Sequence, residues 1–156
     1  IGVELGEEGT VVGNIKNAGL RVLAVPFATI AWTLLGVAAC SIFLPLSLNE
    51  CLIVVSGFGW YSLAPSIIMD HGMVMLSAVS FLHNVMRELL SIIAIPFVAR
   101  FVGYIESCGL GGAASMDVCL PIVERATNGT TAVYSFMSGL VLTILVPVLV
   151  PVMCAL

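Results

Sequence analysis

The sequence predicts an all-α integral membrane protein, in which transmembrane helices alternate with two segments broken by glycine and proline. Of its 156 residues, 60% are hydrophobic and only 9% are charged. Soluble domains contain about 45–50% apolar and about 25% charged residues. This composition excludes an ordinary soluble enzyme. The net charge of −4 provides no basic patch for phosphates, so we also expect no nucleic-acid partner.

Three apolar runs are long enough to cross a lipid bilayer, which takes about 20 apolar residues in a helix. We therefore expect residues 1–156 to form a single transmembrane domain. Its predicted spans cover about 22–48, 73–99 and 127–154.

Two further apolar segments, about 51–69 and 106–123, are rich in glycine and proline, which break helices. Unpaired backbone at membrane depth is tolerated only where it packs against protein or lines a wet cavity. We expect these segments to be re-entrant or discontinuous, and such segments often mark the binding site of a transporter. The glycines predicted at the two breaks are Gly57, Gly59, Gly109, Gly111 and Gly112.

The two broken segments also resemble each other. Gly57-Phe58-Gly59 and Gly109-Leu110-Gly111 lie 52 residues apart (109 − 57), and each precedes a long apolar span with a late proline. This spacing suggests a weak internal repeat.

Basic residues orient the chain, because they favour the cytoplasmic side. Lys16 and Arg21 precede the first span. If both broken segments are re-entrant, Arg100 and Arg125 also lie in the cytoplasm and the C-terminus lies outside.

The second long span carries polar residues that share one helical face. They are Ser77, Ser80, Asn84, Arg87, Glu88 and Ser91. A charge in the middle of a span costs about 2.5–3.5 kcal/mol. Arg87 and Glu88 therefore either form part of a buried ion pair that fixes helix packing or face a functional cavity. A carboxylate at position 88 could hold an ammonium group or exchange a proton.

Other candidate site residues flank the breaks. Asp117 either caps a helix that starts near Ser115, or faces a cavity with Ser115 and binds a cation. Near the first break, we include Ser56, Trp60 and Tyr61, although the aromatic rings also suit the membrane interface. The sequence contains neither an HExxH metalloprotease motif nor a GxSxG elbow. We expect no enzyme, no metal and no cofactor.

Four motifs in this order resemble the LysO family of bacterial lysine exporters, and the resemblance covers essentially the whole chain. They are Ser56-Gly57-Phe58-Gly59-Trp60-Tyr61-Ser62-Leu63, Asn84-Val85-Met86-Arg87-Glu88-Leu89, Gly111-Gly112-Ala113-Ala114-Ser115-Met116-Asp117 and Leu145-Val146-Pro147-Val148-Leu149.

The resemblance implies export of L-lysine and its analogue thialysine across the bacterial inner membrane, with proton antiport as the drive. An important intramembrane acidic residue of the family falls on Glu88. A complete family member is longer, and this chain corresponds to its C-terminal half. The resemblance therefore implies a separate N-terminal subunit, a homodimer, or a chain that is a fragment. We keep two alternatives open, namely a carrier of another small cationic or zwitterionic metabolite and a structural subunit of a membrane complex.

Overall fold

The computed structural model describes residues 22–156, and within that range it contains seven α-helices and no β-strand. The orientation prediction depends partly on Lys16 and Arg21, which lie outside the described residues. The expected all-α membrane fold is confirmed for the described part of the chain.

Three helical stretches are long and apolar enough to cross a membrane. Helix α1 (Ala24–Cys40) continues through a 3-10 turn to Phe43, helix α4 spans Val74–Phe101, and helix α7 spans Gly129–Ala155. At a rise of about 1.5 Å per residue, each reaches about 30 Å or more, which matches the hydrocarbon core.

The first span ends earlier than the sequence predicts. We expected it to reach about residue 48, but the 3-10 turn ends at Phe43 and Pro45 follows. A new helix then begins at Leu48, because Ser47 and Glu50 form a capping box in which the Ser47 hydroxyl accepts from the Glu50 N–H. Such a reciprocal cap stabilises the start of a helix. The lack of charged residues, on which the predicted end of the first span is based, does not indicate this new helix start.

Each broken segment consists of two short helices separated by turns. The first broken unit contains helices α2 (Leu48–Val55) and α3 (Ala64–Asp70). The second broken unit contains helix α5 (Tyr104–Cys108), a 3-10 turn (Gly112–Met116) and helix α6 (Leu120–Ala126). Each unit leads into a long helix with an internal proline, Pro96 in α4 and Pro147 in α7. The order of elements therefore repeats, whereas a re-entrant path through the membrane stays a prediction.

Helices α4 and α7 both pack against both broken units, so the two units lie between long helices. One apolar cluster joins the first unit to α7 through Phe58, Ile68 and Leu142. A second cluster joins α4 to the second unit through Ile95 and Val123. Many outward-facing side chains of α1, α4 and α7 are large, apolar and exposed, as expected of a lipid-facing surface.

All five cysteines are free thiols. Cys51, Cys108 and Cys119 are buried, whereas Cys40 is exposed and Cys154 is half-buried.

Candidate functional site

Polar side chains of α4 hold the first broken unit through its backbone. The Ser77 hydroxyl donates to the Pro65 carbonyl at 2.7 Å, and the Ser80 hydroxyl donates to the Val54 carbonyl at 3.0 Å. Both serines are buried. Because unpaired carbonyls inside a membrane protein are costly, these bonds explain the hydroxyl groups in this apolar helix.

Asn84 completes this anchoring at the first break. Its side-chain oxygen accepts from the Gly59 N–H at 2.8 Å, and its Nδ2 donates to the Ser80 carbonyl at 2.8 Å. A methyl group at Gly57 would lie 2.7 Å from Nδ2 of Asn84, so the backbone needs glycine for this close approach. Asn84 is fully buried and therefore positions the break rather than lining an open site.

The two breaks touch each other through their backbones. The Ala113 N–H donates to the Phe58 carbonyl at 2.8 Å. A methyl group at Gly112, whose φ of +62° favours glycine, would overlap that same carbonyl oxygen. Phe58 itself has a φ of +44°, which is strained for a bulky residue. We refer to this contact between Phe58, Gly112 and Ala113 as the crossing.

A small cavity of about 190 Å³ opens beside the crossing. Glu88 enters it from α4, and Asp117 enters it from the turn after the 3-10 helix. Trp60 and Tyr61 contribute aromatic walls. The remaining lining residues are Gly59, Ser62, Ala113, Ala114, Met116 and Thr143. The fold thus brings four of the predicted site side chains to one cavity.

Glu88 lies in the middle of its helix. It is the fifteenth residue of the 28-residue α4 (88 − 73 = 15), or about 21 Å from the start of a helix about 42 Å long. Asp117 is exposed and accepts from the Val118 N–H at 2.6 Å. Helix α6 begins three residues later without a side-chain cap. Of the two interpretations of Asp117, the geometry therefore favours a residue that faces a cavity over a helix cap.

Arg87 leaves α4 in a different direction from Glu88. Its guanidinium donates to the carbonyls of Leu110 (3.2 Å) and Gly109 (3.5 Å) and to the Thr33 hydroxyl (3.4 Å). It lines a second, larger cavity between α1, α4 and α5, of about 1030 Å³. Neighbouring helical residues point about 100° apart, which separates the two charges.

Besides Asn84, the predicted site residues Ser56 and Ser115 line neither cavity. Ser56 is buried and donates to the Ile53 carbonyl at 2.7 Å. Ser115 is buried and donates to the Cys108 carbonyl at 2.8 Å, while its own carbonyl accepts from Ser135. The expected cavity role of Ser115 beside Asp117 therefore gives way to a structural role, because its hydroxyl pairs a carbonyl freed at the second break.

Three threonines that the sequence did not single out also line the cavities. Thr143 of α7 lines the small cavity, and Thr29 and Thr33 of α1 line the large one. Each hydroxyl stands within an apolar run, which is the signal that could have indicated them. Within residues 22–156, no group of three His, Cys, Asp or Glu side chains is arranged to hold a metal ion.

Comparison with known proteins identifies the family. The model of the family described as lysine exporter LysO matches residues 1–154. The chain belongs to this family. LysO of Escherichia coli K12 is 29% identical over 150 residues, which cover 96% of this chain and 50% of the relative. A putative lysine exporter of Haemophilus influenzae Rd is 29% identical over 119 residues, which cover 75% of this chain and 60% of the relative.

The chain spans about half the length of the E. coli LysO relative that it matches. No solved structure matches it. Membership of the LysO family, together with three apolar helices, makes this a multi-pass membrane protein of a transporter family and not an enzyme.

Proposed function

We propose that the chain is a component of an exporter of L-lysine and its analogue thialysine in the bacterial inner membrane. Its membership of the LysO family supports the substrate class. The observation that carries the proposal is the pairing of Glu88 with Asp117 in one cavity at the contact between two broken helices. Broken helices at a cavity are the usual architecture of a substrate site in secondary transporters.

The small cavity has the chemistry of a cation site. Two carboxylates attract an ammonium group, and Glu88 is half-buried, where electrostatic attraction is less screened than at the surface. Trp60 and Tyr61 add aromatic faces, which also attract cations. We infer that the ε-ammonium of lysine binds here between Glu88 and Asp117.

The same carboxylates support coupling to protons. Either a substrate cation or a proton neutralises Glu88 in the middle of α4, and an empty, charged cavity is costly at membrane depth. Exchange of one cation for the other at Glu88 provides proton antiport without a further site.

A complete exporter needs more chain than is present here. We propose that a separate N-terminal half or a second copy of this chain completes the pathway, because the E. coli relative is twice as long as the region it shares with this chain. In the orientation that follows from the basic residues, the C-terminus lies outside.

Lysine efflux from bacteria that lack their own exporter tests the proposal. The chain is expressed alone and together with the remaining half of a full-length relative. We expect efflux in one of these two arrangements, and the arrangement identifies the assembly. Absence of lysine efflux in both, with export of another amino acid from a competing panel, would contradict the substrate assignment.

Matched variants then test the site. Glu88→Gln and Asp117→Asn should each reduce efflux at least about tenfold, because a hydrogen bond to a charged group contributes about 1.5–3 kcal/mol. Glu124→Gln and Asp70→Asn are the controls, since both residues are exposed and lie outside both cavities. Equal efflux from Glu88→Gln and Glu124→Gln would exclude the proposed role of Glu88.

Proton coupling is tested with purified protein in proteoliposomes under an imposed pH gradient. A gradient that drives protons against the direction of lysine transport should accelerate that transport in the wild type. Glu88→Gln should lose this acceleration. If the pH gradient does not change the rate of lysine transport by the wild type, proton antiport is ruled out.

A further inference from the structure

The large cavity is separate from the cavity that holds Glu88 and Asp117, and the two share no lining residue. The second broken unit runs past both. Its Gly109 and Leu110 line the large cavity, and its Ala113, Ala114, Met116 and Asp117 line the small one. At about 1030 Å³, the large cavity has the size of a small-molecule site.

Arg87 brings a positive charge to this cavity. Its three hydrogen-bond partners among the described residues are neutral oxygens, at 3.2, 3.4 and 3.5 Å. Strong N–H···O bonds are about 2.7–3.2 Å long, so two of these three are weak. A guanidinium carries five N–H donors, which leaves further donors free for a ligand.

Acidic side chains near Arg87 do not neutralise it in residues 22–156. Glu88, its neighbour on α4, lines the other cavity. Glu106 also lines the large cavity, but its carboxylate lies against Gly103. A methyl group added at Gly103 would overlap one of the carboxylate oxygens. Among residues 22–156, the groups that accept from Arg87 are all neutral. A charge held at membrane depth usually faces a cavity or meets an opposite charge.

A second polar group faces the same cavity one helical turn away. His83 lines it together with Arg87, and Nδ1 of His83 is buried without a hydrogen-bond partner in the described part of the chain. Residues four apart lie on the same side of a helix. The cavity wall therefore combines a guanidinium with an imidazole ring whose Nδ1 is buried.

Several backbone N–H groups at the breaks already donate to other acceptors and cannot bind an anion. Those of Phe58, Gly59 and Trp60 already donate within the first unit or to Asn84. Those of Ala113 and Ala114 donate to the carbonyls of Phe58 and Gly111. These five N–H groups are therefore not available to an anion.

We propose that the large cavity is a carboxylate site, in which Arg87 holds the carboxylate of an amino acid. A guanidinium matches the planar geometry of a carboxylate and can bind it with two parallel hydrogen bonds. The chain would then recognise the two ends of its substrate class at separate places, with the carboxylate at Arg87 and the side-chain ammonium at Glu88. The choice of an amino acid as ligand rests on the proposed function.

Three probes separate the two ends of the ligand. Lysine carries both groups, norleucine lacks the ε-ammonium, and cadaverine lacks the carboxylate. Their binding is measured by calorimetry on the purified chain in lipid nanodiscs, with the remaining exporter half included if efflux requires it. Arg87→Gln should weaken norleucine binding at least about tenfold and leave cadaverine unchanged. Glu88→Gln should do the reverse.

Two further variants guard against loss of the fold. Arg100→Gln is the matched control, because Arg100 is exposed in the last turn of the same helix. Ala28→Trp narrows the cavity from α1 without removing any Arg87 hydrogen bond. It should weaken norleucine binding while the unfolding temperature stays unchanged.

The outcomes distinguish the sources of the carboxylate. Norleucine binding that depends on Arg87 supports a free amino acid. No norleucine binding, with assembly of the two halves lost in Arg87→Gln but kept in Arg87→Lys, supports a carboxylate from a partner polypeptide. If Arg87→Gln and Ala28→Trp change neither norleucine binding nor assembly, the carboxylate site is wrong. Failure of the proposed ammonium site is a different result, namely cadaverine binding that is insensitive to Glu88→Gln.

Discussion

The two broken units share a glycine pattern, but α4 holds them by different chemistry. The first unit is anchored by neutral groups, since Ser77, Ser80 and Asn84 bond to its backbone at 2.7–3.0 Å. The second unit meets the guanidinium of Arg87 at 3.2–3.5 Å. The Ser91 hydroxyl also bonds to the Leu110 carbonyl, at 2.9 Å.

This difference assigns the units different roles. The first unit is fixed by short, buried bonds and contributes the aromatic walls Trp60 and Tyr61 to the small cavity. The second unit contributes the carboxylate of Asp117, and part of its anchoring comes from long bonds to a charged group. Similar glycine spacing therefore specifies a similar backbone break, whereas the neighbouring side chains of α4 decide how firmly each break is held.

The strongest way to disturb both units at once is Gly112→Ala. The added methyl group overlaps the Phe58 carbonyl in a left-handed conformation, and these two costs together destabilise the protein by about 2–5 kcal/mol. We expect a large fall in the thermal unfolding temperature in detergent. Gly36→Ala is the control, because a methyl group there meets nothing within 4 Å. Equal unfolding temperatures for the two variants would show that the crossing does not hold the units together.

Asn84→Ala should loosen the first unit selectively. It leaves the buried Gly59 N–H without its acceptor, which costs about 1–3 kcal/mol. We expect a lower unfolding temperature and faster amide hydrogen exchange at residues 57–60 than at residues 109–112. Asn49→Ala is a suitable reference, since Asn49 is exposed on α2. Uniform acceleration of exchange in both units would mean that they unfold as one body.

The smallest effect is expected at the start of the first unit. Ser47→Ala removes the cap of α2, and loss of such a cap typically costs about 1 kcal/mol. Thr130 is exposed in the first turn of α7 and does not cap that helix, because the cap comes from Asn128. Thermal unfolding of Ser47→Ala against Thr130→Ala measures the difference, and an unchanged unfolding temperature in Ser47→Ala would show that tertiary contacts alone set the start of α2.

Much of this architecture is predictable from the sequence, because a bilayer imposes few solutions. Apolar runs indicate the long helices, and glycine with proline indicates the breaks, since few other residues tolerate those backbone conformations. The cost of a charge at membrane depth also singles out Arg87 and Glu88 in the sequence, and their functional role stays a prediction. Arg87 and Glu88 line separate cavities because of how α1 and α5 pack. The residues around positions 87 and 88 do not predict that packing.

The hydroxyl groups were harder to interpret. Ser56 and Ser115 both donate to nearby carbonyls instead of reaching a cavity. A serine beside a break always has such local acceptors within reach, so its type and position alone do not distinguish a structural role from a binding role. Thr29, Thr33 and Thr143 show the reverse case, because these hydroxyl-bearing residues of apolar helices line the cavities.

The free thiols of the wild-type protein can report the direction in which the chain crosses the membrane. Cys40 is exposed at the last residue of α1, whereas Cys51, Cys108 and Cys119 are shielded in the interior. A membrane-impermeant maleimide added to intact cells should therefore label Cys40 if the first span exits to the outside, and should leave the three shielded thiols unreacted. The direction of the whole chain in the membrane can thus be determined from the wild-type protein, without introducing a tag or a new cysteine.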